Sequence, residues 1–117
     1  MPIQILANSK LITGIFPKGG GKRVIEALHN RGITTANMYF ARGSDFGAPL
    51  GKSGIPEQVE KEIVTVVVSP KESDEMFEFI YDTADINRPG AGVIYMGELR
   101  KSVPFVLPDL SSQSTEP

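Results

Sequence analysis

Twice along this chain an apolar, β-branched run ends in a Pro-Lys pair and passes into a stripe of helical period. Ile15-Phe16-Pro17-Lys18 does so in the first half, and Val68-Ser69-Pro70-Lys71 in the second. Proline removes a ladder donor and fixes φ near about −65°, so it closes a strand and suits the first turn of a helix. Each half then reads strand, Pro-Lys turn, helix, glycine-containing turn, strand.

Doubling that unit gives a βαβ-βαβ order, which is the ferredoxin-like plan of the α+β class. The expected fold is a four-stranded antiparallel sheet with both helices on one face, because crossovers of this kind are right-handed. The other face needs a cover. With 117 residues the chain is one domain and near the low end for a self-sufficient core. Further copies of the same chain are the simplest cover.

The elements follow from period and punctuation. Residues 10–16 read as a strand, with Leu11, Ile12, Ile15 and Phe16 apolar. Gly19-Gly20-Gly21 reads as a turn, and from Lys22 the residues Val24, Ile25, Ala27 and Leu28 form a helical stripe. Arg31-Gly32-Ile33 is a glycine helix stop followed by an apolar residue. Residues 33–41 are extended. Residues 63–68 form a continuous β-branched run, the pattern of a central strand buried on both faces. Ser69-Pro70-Lys71-Glu72 has the form of a capping box before an amphipathic helix carrying Met76, Phe77, Ile80, Tyr81 and Ala84. A second glycine loop, 87–92, leads into a fourth strand at 93–96. Residues 102–108 are apolar but hold Pro104 and Pro108, which suits an edge segment.

Residues 42–60 stand apart, with four glycines and two prolines among Ser44, Asp45 and Ser53. Loops beyond about 12–15 residues are uncommon in compact domains and usually carry function. The expected organisation is a lead segment 1–9, a domain 10–108 containing the long loop 42–60, and a disordered Ser/Thr/Gln-rich tail 109–117.

Composition narrows the function. Twelve Lys and Arg against fourteen Asp and Glu give a net charge of −2, without the basic excess of a nucleic-acid binder. The absence of cysteine excludes disulfides, zinc fingers and thiol nucleophiles, and a single histidine excludes a His-rich metal site within one chain. No apolar run approaches the roughly 20 residues of a membrane span, and Met1-Pro2-Ile3-Gln4 opens no signal peptide, so a cytoplasmic protein is expected.

Few residues nominate chemistry. Lys18-Gly19-Gly20-Gly21-Lys22-Arg23 lies between strand and helix, but Phe16 and Arg23 stand where a phosphate loop needs glycine and a hydroxyl residue. A flexible solvated turn is the simpler reading. His29 lies beside the apolar stripe of its helix as a surface residue. Glu57, Glu60, Glu62, Glu72, Asp74 and Glu75 read as solvated edges, and no pair is set up for acid–base work. Met76-Phe77-Phe79-Ile80 reads as core. Gly90-Ala91-Gly92 could bring backbone N–H groups close to an anion, with Arg88 adding charge.

In order and spacing, residues 10–99 resemble the PII signal-transduction proteins. Glu26-Ala27-Leu28-His29-Asn30-Arg31-Gly32-Ile33 resembles the end of that family's first helix. Arg42-Gly43 resembles the basic-Gly pair that opens its T-loop, residues 62–68 its third strand, and Gly90-Ala91-Gly92-Val93-Ile94-Tyr95 its B-loop. The resemblance implies a homotrimer with effector clefts between subunits, and a T-loop that signals to a protein target such as a membrane transporter or a metabolic enzyme. It implies no catalysis and no tightly bound cofactor. The implied ligand residues are Asn37 and Thr65 for a base, and Arg42, Gly43, Arg88, Gly90, Ala91 and Gly92 for an anion, with Lys52 as a further cation near the cleft.

The departures from that family are specific. Ala91 and Val93 replace the B-loop Asp and Lys. Pro104 and Val106 stand near the phosphate-binding arginines, and the loop holds no tyrosine. They point away from ATP with 2-oxoglutarate and toward a less charged effector, with an adenine nucleotide (ADP, AMP or ATP) the expected class. The alternatives are a small ferredoxin-like enzyme using His29 or loop carboxylates, and a CutA-like metal-tolerance trimer presenting three His29 side chains.

Overall fold

A computed structural model describes residues 4–43 and 59–103. The elements are β1 (Leu6–Pro17), α1 (Gly20–Asn30), β2 (Asn37–Gly43), β3 (Val59–Val68), α2 (Ser73–Thr83) and β4 (Val93–Ser102). The sheet has the order β2-β3-β1-β4, and every neighbouring pair is antiparallel. This is the ferredoxin-like arrangement. Most of the long loop and the segment from Pro104 onward, including the edge segment and the tail, lie outside the described residues.

Alternation divides the sheet into two faces. Ile12 and Phe16 of β1 and Val64, Val66 and Val68 of β3 point to one side, where they pack with Val24 and Leu28 of α1 and Met76, Ile80 and Ala84 around α2. The opposite face carries two cross-sheet rows, Tyr39–Ile63–Ile15–Val93 and Asn37–Thr65–Thr13–Tyr95. Tyr39, Val93 and Tyr95 on it are each half or more exposed. β3 is central, as its composition implies, yet within one chain only its helix-facing residues are fully buried.

Both helices stop in the same way. The N–H of Gly32, at φ +83, donates to His29 O at 2.9 Å, and that of Ile33 to Leu28 O at 3.0 Å. After α2 the left-handed position is Asp85, at φ +55. Its N–H donates to Asp82 O, and that of Ile86 to Tyr81 O. These are paired Schellman-type bonds, and they turn each chain end back toward the sheet. At the foot of α1, Arg31 pairs with Glu75 and lies 4.4 Å over the Phe79 ring, which ties α1 to α2.

Several boundaries differ from the sequence reading. β1 begins at Leu6 rather than residue 10, and β4 continues unbroken to Ser102. No capping box forms at 69–72. Pro70–Glu72 instead makes a 3-10 turn, and the Ser73 hydroxyl donates to Pro70 O at 2.8 Å. α1 starts inside the glycine run, at Gly20, for a reason that lies on β3.

Candidate functional site

Glu62 sits at a helix-facing position of β3 and is 5% exposed. Its two carboxylate oxygens accept the backbone N–H groups of Gly19 and Lys22, each at 2.9 Å. A helix N-terminus has unsatisfied donors and a partial positive charge, so a buried carboxylate is at home there. Those bonds, led by the one from Gly19, hold the Glu62 pKa below its ordinary value against the opposing effect of desolvation. Glycine at position 21 is required sterically, since a Cβ there would lie 2.5 Å from the Glu62 Cβ. Glu62 is therefore no solvated edge residue. The anion position at the start of α1 is filled by the chain itself.

The residues expected to hold a ligand fall into three places on the sheet. Arg42 and Gly43 close β2 and lie opposite Glu60 and Val59. Arg42 is exposed, and Gly43 has open space where a Cβ would be. Gly90, Ala91 and Gly92 lead into β4 at this same end, because Val93 pairs with Ile15 near the end of β1. They enter on the opposite edge strand, three strand spacings or about 14 Å away. Arg88 is exposed and lies 3.7 Å from Asp85 within the turn. The Ala91 N–H donates to Arg88 O at 3.1 Å, so that group serves the turn. Gly92, at φ +127, packs on β1, where a Cβ would meet Ile15 O at 2.4 Å.

Asn37 and Thr65 face each other across β2 and β3, and Thr65 also faces Thr13. Asn37 starts β2, about 20 Å along the strand from Gly43. There it borders a cavity of about 470 Å³, whose wall includes Ser9, Thr35, Val67, Ser69 and Ser102. The Ser102 hydroxyl is buried and has no hydrogen-bond partner among the described residues. Among the described residues no charged side chain lines this cavity. Such a lining accepts a neutral, partly apolar group with hydrogen-bonding edges. One chain thus separates a neutral pocket from the glycine turn and the loop base.

No family model and no curated protein sequence matches the chain. Solved structures do. The GlnK–ATP complex of B. subtilis superposes with a TM-score of 0.59 at 19% identity, covering 80% of this chain and 83% of that one. PII of Arabidopsis thaliana bound to citrate gives 0.58 at 20% identity, covering 78% and 74%. The chain has the PII-like fold.

On this PII-like scaffold, sequence reasoning missed Glu62 and the cavity residues Ser9, Thr35, Ser69 and Ser102. Glu62 carried a usable signal. It shares the parity of Val64, Val66 and Val68, so a buried β3 face implied a buried carboxylate needing donors. The N–H groups of Gly19 and Lys22 supply them. The serines had no such signal, because the bend that gathers four chain segments at that end is tertiary. His29 is exposed on α1. Among the described residues no three His, Cys, Asp or Glu side chains form a metal-sized group, and no helix is long and apolar enough to cross a membrane.

Proposed function

We propose that this protein is a non-catalytic PII-like regulator, which binds an adenine nucleotide in clefts between three copies of the chain. The observation that carries the reading is the division of the candidate residues. Asn37 lines the neutral cavity and Thr65 faces Asn37 from the middle of β3, while Arg42 and Gly43 close β2 and Arg88, Gly90 and Gly92 precede β4 on the opposite edge. Asn37 and Gly43, about 20 Å apart along β2 in one chain, can meet across an interface. The uncovered rows of the open face, with Tyr39, Ile63, Ile15 and Val93, are the surface that would make one.

In this reading the cavity takes the base, with the Asn37 amide able both to donate to and to accept from a purine edge. The glycine turn and the arginines of a neighbouring copy face the phosphates. ATP in the B. subtilis GlnK complex and citrate in the Arabidopsis PII complex are both anionic small molecules, which fits an effector role. Gly43 ends β2 and Val59 starts β3 at the phosphate end, so occupancy there is positioned to alter what the loop sequence between them offers a target protein, a transporter or metabolic enzyme. Calorimetric titration with ATP, ADP, AMP and cyclic nucleotides tests the reading. Saturable binding at one ligand per chain, weakened by Asn37→Ala, is expected. No heat and no thermal shift with any of them would overturn it.

A further inference from the structure

Asn8, the third residue of β1, is a non-glycine residue with φ +60 inside a strand. The left-handed region is unfavourable for a residue with a Cβ, and asparagine is among the residues that tolerate it best. Strain of this kind is a pointer toward function when other features converge on it. Here they do. The β1–β4 register runs through Ala7↔Lys101 and Ser9↔Leu99 but skips Asn8 and Arg100 between them. The interruption opens a notch lined by Asn8, Arg100 and Lys101. Consecutive strand residues normally point to opposite faces. Arg100 and Lys101 nevertheless border one notch, beside the unpaired Asn8–Arg100 position on the edge strand β4.

The charge there is uncompensated. Arg100 and Lys101 are exposed, and neither has an acidic partner among the described residues. Glu98, the acid nearest along β4, is held by Lys10 at 3.3 Å. Two cations and an amide, with no carboxylate in the lining, select a compact oxyanion with more than one negative charge. A guanidinium binds two oxygens of such a group at once, and the ammonium adds a point charge.

We infer that the Asn8–Arg100–Lys101 notch binds a phosphoryl oxyanion, and that this site is separate from the glycine turn. The oxyanion is either free phosphate or the terminal phosphate of a nucleotide, and the experiment separates these. Inorganic phosphate, ADP and adenosine are each titrated calorimetrically into the full-length protein and into the Arg100→Gln/Lys101→Gln double variant. Arg23→Gln, an exposed change on α1, is the charge control, and thermal melting verifies folding. Should the double variant melt early, the single variants Arg100→Lys and Lys101→Met replace it.

The expected result is phosphate binding to the wild type that falls about tenfold or more in the double variant and is unchanged in Arg23→Gln. ADP losing affinity in parallel while adenosine does not identifies the nucleotide as the source. Phosphate binding that is lost while ADP is unaffected identifies a free-anion site. Binding of phosphate to the wild type without any nucleotide binding supports the notch and removes the nucleotide reading proposed above. Equal phosphate affinity in wild type and double variant, or no phosphate binding by the wild type, overturns the notch and leaves that reading standing on its own titrations.

Discussion

Glu62 of β3 and Gly19 at the head of α1 are joined by a 2.9 Å hydrogen bond across 43 positions of sequence. With the second bond to the Lys22 N–H, it fastens the first helix to the strand that rises from the long loop. A conventional helix cap is supplied by the residue just before the helix. Here the N-cap is Gly19, which has no side chain to give, and the carboxylate comes from the sheet.

Neutralising that carboxylate should weaken the fold. Glu62→Gln keeps the shape but exchanges charge-assisted acceptors for one weaker acceptor and an amide donor with no partner. A loss of about 1.5–3 kcal/mol is expected in urea denaturation. The pH dependence follows from the lowered pKa. The contribution is complete above the ordinary glutamate value and is lost as pH falls through the lower native value. The wild type should therefore show a steeper acid loss of stability than Glu62→Gln. Parallel curves would remove Glu62 from the account.

The two glycines of the second turn should respond differently to alanine. Gly92→Ala drives a Cβ to 2.4 Å from Ile15 O at φ +127, so a folded yield well below wild type is expected. Gly90→Ala meets open space and carries only the left-handed strain, about 1–2 kcal/mol. Thermal melts of both variants check the order. A Gly90→Ala protein that folds but loses nucleotide affinity would point to the backbone at that position as a ligand contact.

Assembly is tested at the centre of the open face. Ile63→Glu changes a half-buried residue whose neighbours in its row are Tyr39 and Ile15. Within one chain the cost should stay near 1 kcal/mol, since strand preferences span about that range. In a trimer the same change buries three carboxylates together. Light scattering should show three chains for the wild type and one for the variant, with far-ultraviolet dichroism retained. A trimeric Ile63→Glu protein would place the interface elsewhere.

The Arg31 contact to α2 should be worth less than its appearance suggests. Its pair with Glu75 is partly exposed, and such pairs contribute about 0–1 kcal/mol. Stacking over Phe79 adds a similar amount and needs the planar guanidinium. Arg31→Lys is expected to lose about 0.5–1 kcal/mol, with a salt dependence smaller than that of Arg31→Ala. Equal melts for wild type and both variants would assign the link no weight.

What could be read from the sequence depended on how local its cause was. The helix stop at Gly32 was legible because glycine, the basic residue before it and the apolar residue after it are consecutive. The start of α1 was not. Gly19-Gly20-Gly21 looks like a turn until Glu62 is seen to supply the acceptors that let the last two join the helix. The capping box at 69–72 fitted its pattern and still did not form, because Pro70 has no N–H to satisfy and the Glu72 N–H donates to the Ser69 carbonyl within the 3-10 turn. Asn37 was selected from a family resemblance, and the structure gave it a neighbourhood. The left-handed backbone at Asn8 had no trace in composition, and it fell inside the segment read as a lead.

The separation of Asn37 from the glycine turn has a consequence for measurement. A ligand that needs both ends must draw chains together, so its apparent affinity depends on how much protein is present. Titrations at different chain concentrations would then give different midpoints, and ligand would slow dissociation of the assembly. Dilution becomes an experimental variable equal in standing to the ligand itself. In a cell, the amount of this protein would set its own sensitivity threshold.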